Sequence, residues 1–155
     1  MNGNPASMPV QRRHRYTLRV YYEDTDAGGI VYHANYLRFA ERARTEALRE
    51  MGIPHAALVE RFNLMFVVRR IKVDYLRPAR VDESLAVLTE PLAVGSASAT
   101  LRQTIVGAEE AAGALAPRAV LEVGLASVRV GDQRPGRLPP LWRDTLRAMM
   151  AGGDA

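Results

Sequence analysis

Residues 21–33 gather carboxylates, a Gly-Gly pair and a histidine between a predicted strand and a predicted long helix. The first turn of a helix leaves backbone N–H groups unpaired and carries partial positive charge, so it can hold an anion or a developing oxyanion. A carboxylate fixed a few residues upstream can act as a base or a nucleophile. The junction of strand and helix is therefore predicted to carry the chemistry of this protein.

The side chains of this run also have structural interpretations. Asp26 can cap the turn, because aspartate accepts hydrogen bonds from its own downstream backbone in such loops. Glu23 and Asp24 are predicted to be structural acceptors or partners of nearby arginines. Gly28 and Gly29 give the backbone freedom, but no Gly-x-Gly-x-x-Gly pattern or P-loop lysine makes them a phosphate cradle. From the residues alone, capping and catalysis both remain open for Asp26.

The amino-acid sequence excludes several other kinds of catalytic and metal site. The chain contains no cysteine, which excludes disulfides, thiolate metal sites and cysteine nucleophiles. A calcium loop starting at Asp24 fails, because its fifth position is Gly28 and its twelfth is Asn35 instead of glutamate. Serine-hydrolase and zinc-protease motifs are missing, and three dispersed histidines are too few for a metal cluster. We therefore predict no metal site.

Composition indicates one compact domain. The chain has 155 residues, of which 48% are hydrophobic and 25% are charged, which suffices for a sizeable core. We predict a loose, flexible tail over residues 1–14 and a single domain over 15–150. The net charge is +4, but the scattered arginines do not favour a nucleic-acid partner. No apolar run reaches the length of a transmembrane segment and no secretory signal begins the chain, so a cytoplasmic protein is expected.

A strand and the helix after it must position the junction. Alternating β-type residues predict the strand over 16–22. The helix is predicted from about Ala34, and Gly52 and Pro54 end it. Its inner face carries Tyr36, Ala40, Ala43, Ala47 and Met51. Because small side chains allow close approach, we expect this helix to be embedded in a curved sheet.

The later segments are predicted mainly as strands. Residues 54–60 favour a short helical turn, and residues 64–75 a strand that the prolyl segment 77–80 ends. Alternation along that strand predicts one face with Phe66, Val68, Arg70 and Lys72, and the other with Val67, Arg69, Ile71 and Val73. Further strands are predicted at 84–93, 97–106 and 118–130, a flexible extension at 107–117 and a short helix at 141–147. This order predicts an α+β hot-dog fold, a long central helix wrapped by a curved antiparallel sheet.

Four segments carry a resemblance to a known family: residues 20–36, 39–46, 66–70 and 74–80. Together they resemble the 4-hydroxybenzoyl-CoA thioesterase family, and most of all its Tol-Pal-associated acyl-CoA thioesterases. The resemblance is dense over residues 19–80 and weakens after 107. It implies hydrolysis of an acyl-CoA thioester to a free acid and coenzyme A, with no cofactor. It also implies a homo-oligomer, a dimer or a homotetramer built from dimers, in the cytoplasm or peripheral to the inner membrane.

The resemblance assigns the catalytic carboxylate to Asp26 and a carbonyl-polarising backbone N–H, at the start of the long helix, to His33. The His33 imidazole as a base is a second interpretation. Substrate contacts are expected from Gly28, Gly29 and Tyr32, although Tyr32 and Tyr36 are also typical of a core. For the phosphates of coenzyme A, the candidates are Arg69, Arg70, Lys72, Arg77 and Arg80, each equally explained by a solvated strand edge.

Two other functions compete with thioester hydrolysis. The first is a non-catalytic module that binds acyl-CoA or acyl carrier protein for an envelope or lipid-synthesis partner. The second is a hot-dog dehydratase, which needs a histidine and a carboxylate that converge on a hydroxyacyl chain, and the sequence fits that layout poorly. An intact Asp26 argues against the binding module.

Overall fold

A computed structural model describes residues 13–110 and 116–151. Its strands are β1 (His14–Arg19), β2 (Leu64–Tyr75), β3 (Ser84–Val94), β4 (Ser98–Gly107) and β5 (Ala119–Arg129). Its helices are α1 (Asn35–Glu50), α2 (His55–Phe62) and α3 (Pro140–Ala151), with a short 3-10 helix at Tyr22–Asp24. No helix of these ranges is both long and apolar enough to cross a bilayer.

The five strands form one antiparallel sheet in the order β1-β3-β4-β5-β2. The predicted hairpin joins β3 to β4, and the Gly95 N–H closes it on the Ser98 carbonyl at 2.8 Å. β1 and β2 lie at the two edges, so α1 and α2 carry the chain from one edge of the sheet to the other. The arrangement of helix and sheet is the α+β layout expected from the sequence.

α1 packs on the sheet through the predicted stripe of small residues. Ala40 and Ala43 are fully buried among side chains of β3, β4 and β5, and Phe39 adds bulk beside them. The helix ends at Glu50 with Met51 as its C-cap, and Gly52 follows with φ +77°, a conformation that glycine adopts without strain. On the solvent side, Glu46 pairs with Arg49 one turn later. Alanine therefore sets how closely α1 lies against the sheet.

The first strand is shifted relative to its prediction. β1 begins at His14, inside the predicted tail, and ends at Arg19 instead of residue 22. The chain leaves the sheet early because Tyr22–Asp24 turn into a 3-10 helix, whose end is held by the Thr25 N–H on the Tyr22 carbonyl. Residues 1–12 of the predicted tail and 111–115 of the predicted extension lie outside the described residues.

The predicted faces of β2 are wrong, because a bulge interrupts the alternation. Val68 pairs with Leu125 and Arg70 pairs with Gly124, so Arg69 is the extra residue on the β2 side. Phe66 and Ile71, predicted on opposite faces, consequently both pack against the main core, and Val73 does so as well. Arg69 and Arg70 are both exposed.

A second core cluster lies under α2 and α3. Trp142, the only tryptophan, is 1% exposed and packs with Ile53, Leu58, Leu64 and Leu138. Its ring meets Phe62 edge-on with centroids 5.4 Å apart. α3 is longer than the predicted 141–147 because Met149, one turn beyond that range, is buried as well. The C-terminal helix is thus part of the core.

Candidate active site

Residues 24–32 form a tight hairpin immediately before α1. Its arms are joined by a bridge between Thr25 and Val31, and the Asp26 N–H donates to the Ile30 carbonyl at 2.9 Å. The second arm is anchored in turn to the segment before β3, because the Val31 N–H donates to the Ala79 carbonyl at 2.8 Å. The predicted loop is therefore a fixed platform with Asp26 near its tip.

Asp26 is exposed at this tip, and its Oδ1 accepts the Gly28 N–H at 2.8 Å. The Gly29 N–H donates to the Asp26 carbonyl at 3.0 Å, and Gly29 has φ +75°, which explains the need for glycine there. The capping interpretation of Asp26 is thus confirmed. The cap uses only one of the two carboxylate oxygens of Asp26, so the other oxygen can serve a second function.

Asp24 has the structural function predicted for it. Its Oδ2 accepts the Tyr21 N–H at 2.8 Å, and its carbonyl accepts both the Tyr32 N–H and the Asn35 side-chain amide at 2.9 Å. These bonds join the base of the hairpin to the first residue of α1. Asp24 therefore positions the junction and is not a second free carboxylate.

His33 stands between the hairpin and α1. Within the described residues its N–H donates no backbone hydrogen bond, and α1 has no side-chain cap at Ala34. An unpaired N–H at the start of a sixteen-residue helix lies in the positive field of the helix dipole. Asp26 and His33 are thus held by one hairpin, the carboxylate near its tip and the N–H just past its base.

Two tyrosine rings lie beside the ring of His33. Its ring centroid lies 4.5 Å from that of Tyr32 and 6.2 Å from that of Tyr75. The Tyr75 hydroxyl donates to the His33 carbonyl at 2.9 Å, which ties the end of β2 to the start of α1. Sequence reasoning missed Tyr75, although it lies in the family-like segment 74–80.

Tyr32 and Tyr36 differ in burial, although the sequence predicts both to be typical of a core. Tyr36 is 3% exposed, and burial raises the pKa of its phenol above the ordinary value. Tyr32 is 46% exposed, so its core prediction is wrong and its ring is open to a ligand. Tyr36 belongs to the core that supports the site.

The basic candidates do not converge on the hairpin. Arg70 lies five residues before Tyr75 on β2, or about 17 Å along the strand. Arg69 and Arg70 line a groove of about 340 Å³ with Ser98 and Thr100 of β4. Lys72 is exposed opposite Glu122 in the sheet register, and Arg77 is exposed as well. Only Arg80 reaches the hairpin, through its backbone bridge to Ile30.

Acidic and histidine side chains do not cluster like metal ligands within 13–110 and 116–151. The hairpin therefore offers a carboxylate, a free N–H and aromatic surface, all supplied by the chain. These groups suit the attack of an oxygen nucleophile on a carbonyl, because the N–H meets the charge that develops on the carbonyl oxygen.

Comparison with known proteins supports this chemistry. The family model of the thioesterase superfamily matches residues 28–114. The acyl-CoA thioester hydrolase YbgC of Escherichia coli O6:H1 is 50% identical over 95 residues, which are 61% of this chain and 70% of the relative. The acyl-CoA thioesterase YbgC of Haemophilus influenzae is 40% identical over 126 residues, 81% of this chain and 85% of the relative.

A crystal structure of a probable thioesterase from Bartonella henselae has the same fold. It superposes with a TM-score of 0.74 at 34% identity, over 82% of this chain and 99% of that protein. The predicted hot-dog fold is thereby confirmed. With more than half of its length matched by the family model, the chain belongs to the thioesterase superfamily.

Proposed function

We propose that this protein hydrolyses an acyl-CoA thioester to a free acid and coenzyme A, with Asp26 as base or nucleophile and the His33 N–H as the oxyanion donor. The observation that carries the proposal is the hairpin that holds both groups at the start of α1. The names of the two YbgC relatives supply the substrate class, since both are acyl-CoA thioesterases.

The reaction follows from these two groups. In the base route, Asp26 takes a proton from water as the water oxygen attacks the thioester carbon. In the nucleophile route, the carboxylate attacks first, the carbon–sulfur bond breaks to give an anhydride and the thiolate of coenzyme A, and water then opens the anhydride. In both, negative charge gathers on the carbonyl oxygen near the unpaired His33 N–H. In the base route the carbon–sulfur bond then breaks, and in either route the thiolate of coenzyme A takes the proton that the attacking water gives up.

The direct test is release of free thiol from purified protein with short, long and aromatic acyl-CoA thioesters at neutral pH, and with an acyl carrier protein thioester. Turnover of at least one thioester is expected. A folded wild-type protein that turns over none of them would overturn the proposal in favour of the non-catalytic binding module. Hydration of an enoyl-CoA without thioester hydrolysis would instead favour the dehydratase.

The proposal includes assembly into a homo-oligomer. β2 is a twelve-residue strand at the edge of the sheet, and long open edges are normally covered. Exposed apolar side chains continue along and beyond it, with Val68 and Tyr75 at 48% and Leu76 at 56% exposure. A dimer through this edge, or a tetramer built from two such dimers, would cover them. Sedimentation that finds a fully active monomer would contradict this part.

The resemblance to Tol-Pal-associated thioesterases adds a location to the proposal, in the cytoplasm or peripheral to the inner membrane. Fractionation of cells that produce the tagged full chain tests it. The protein is expected in the cytosol, with any membrane-bound part released by salt. Recovery from membranes only with detergent would contradict it.

We propose that the groove at Arg69 and Arg70 binds the phosphates of coenzyme A, with Lys72 beside it. Arg70→Ala is expected to raise KM for acyl-CoA about tenfold, because charge-assisted hydrogen bonds to phosphate are lost. KM for the matching acyl-N-acetylcysteamine thioester, which has no phosphate, should not change. Arg61→Ala on α2 is the matched control. Equal effects on both thioesters would contradict the assignment.

Tyr75→Phe is expected to lower kcat by roughly fivefold to tenfold, because its hydrogen bond to the His33 carbonyl fixes the donor N–H. The ring contacts with His33 and Tyr36 remain in this variant, so KM and stability should change little. Tyr22→Phe, at a tyrosine that is 86% exposed, is the control. A Tyr75→Phe enzyme with wild-type kcat would show that this tyrosine does not position the donor.

A further inference from the structure

A guanidinium without an acidic partner lies beneath α1. Arg44 is partly buried between the fully buried Ala43 and the nearly buried Ala47. Its Nη1 donates to the Gln103 Oε1 at 2.9 Å. No carboxylate of residues 13–110 or 116–151 forms an ion pair with it. Such a charge is costly to bury, so a compensating anion is expected.

The structure holds this guanidinium in place. Gln103 is completely buried in β4, and its Nε2 donates to the Ala40 carbonyl at 2.9 Å and to the Thr89 hydroxyl at 3.0 Å. These two bonds fix the orientation of the amide, so its oxygen faces Arg44. Arg44 is therefore held by a network of hydrogen-bonded polar groups in an otherwise apolar core.

Arg44 also faces open space. It lines an apolar pocket of about 40 Å³ between α1, α3 and the sheet, and a wider groove of about 320 Å³ outside it. Leu48, Phe66 and Leu125 line both, so the groove and the pocket are adjacent and share the wall that includes Arg44. The inner pocket is closed by apolar side chains such as Leu146 and Met149.

The electrostatics favour an anion at this point. Burial lowers the pKa of Arg44, and the charge of Glu41, one turn earlier on α1, partly opposes that shift. Glu41 and His55 are the other titratable groups that line the groove, and Glu41 is exposed. A single guanidinium has the geometry to bind one carboxylate through two parallel hydrogen bonds.

We propose that this cavity binds a carboxylate carried on an apolar chain, with the carboxylate on Arg44 and the chain along Leu48, Phe66 and Leu125 in the wider groove. Two sources supply this chemistry: a free fatty acid, or the distal carboxylate of an ω-carboxyacyl thioester. Arg44 lies nine residues after the start of α1, about 14 Å from it along the helix axis. The site is thus separate from the hairpin of Asp26.

Calorimetric titration of the full chain with octanoate and with 1-octanol tests the proposal without any turnover, so failure here and failure of the proposed hydrolysis are distinguishable. Octanoate is expected to bind about tenfold more tightly than the alcohol. Arg44→Met should abolish the difference, whereas Arg42→Met on the exposed side of α1 should keep it. Equal binding of the two ligands by wild type, or discrimination that survives in a folded Arg44→Met, would overturn the proposal.

A second measurement identifies the source. Acyl-CoA and ω-carboxyacyl-CoA of equal chain length are compared by kcat/KM. A preference of about tenfold for the ω-carboxyacyl thioester, lost in Arg44→Met, supports the substrate as the source. Equal kcat/KM values together with tighter binding of octanoate support the free fatty acid. Thermal unfolding of Arg44→Met, expected at or above the wild-type Tm, confirms that the variant is folded.

Discussion

Asp26→Asn is expected to lower kcat by roughly a hundredfold or more, the loss typical of an essential acid-base group. The substitution suits the site because asparagine keeps an Oδ1 that can accept the Gly28 N–H. The turn should therefore persist while the base, or the nucleophile, is lost. Free-thiol release from the preferred acyl-CoA measures kcat, and thermal unfolding verifies that the fold is unchanged.

Asp24→Asn is the matched control, two residues away in the same hairpin. Asp24 holds the Tyr21 N–H and, through its carbonyl, the Asn35 amide, so its carboxylate charge is not needed for the reaction. The kcat of the Asp24→Asn variant is expected to stay within about threefold of wild type, since a neutral hydrogen bond replaces a charge-assisted one. Equal losses in the two variants, or an active Asp26→Asn, would refute the assignment.

Single turnover in water labelled with heavy oxygen separates the two routes open to Asp26. Attack by the carboxylate transfers one of its oxygens into the acid, so the product of the first turnover lacks the label when water opens the anhydride at the aspartyl carbon. Activation of water puts the label in the acid directly. Label found in the Asp26 side chain after the reaction would establish the anhydride.

Local sequence patterns were enough to predict a turn at the Gly-Gly pair and the helix α1, although not the bridge between Thr25 and Val31 that makes the turn a hairpin. The Gly-Gly pair predicts a turn because Gly29 adopts a positive φ, and the spacing of Ala40, Ala43 and Ala47 predicts the buried face of α1. Both depend on neighbours within a few residues. The position of Asp26 at the strand-to-helix junction was therefore predictable from the sequence.

Features that depend on distant residues were not predictable in this way. The bulge at Arg69 requires a shift against Gly124 on β5, and it reverses the faces that simple alternation predicts for β2. The bond from Tyr75 to the His33 carbonyl spans 42 residues. The network of Arg44 and Gln103 spans 59 residues and breaks the rule that charged side chains face outward. Pairing partners far along the chain leave no periodic signal.

Trp142→Ala is expected to lower the free energy of unfolding by about 3–5 kcal/mol, the usual effect of removing a buried aromatic side chain. Trp142 is 1% exposed, packs with Leu58 in the second core cluster, and meets the ring of Phe62 edge-on. For a domain of this size, the loss corresponds to a fall in Tm of roughly 10 °C. Urea titration monitored by circular dichroism gives the free energy.

Leu141→Ala is the control for this prediction, because Leu141 is adjacent on α3 but 55% exposed, and its loss should change stability by less than about 0.5 kcal/mol. Trp142→Phe should fall between the two, since the indole Nε1–H has no acceptor in the described part of the chain and phenylalanine keeps most of the apolar contact.

Neither this cluster nor α3 includes a residue of the Asp26 hairpin, so the folded fraction of Trp142→Ala should keep its kcat. A loss of kcat greater than the loss of folded protein would instead couple the C-terminal helix to the active site.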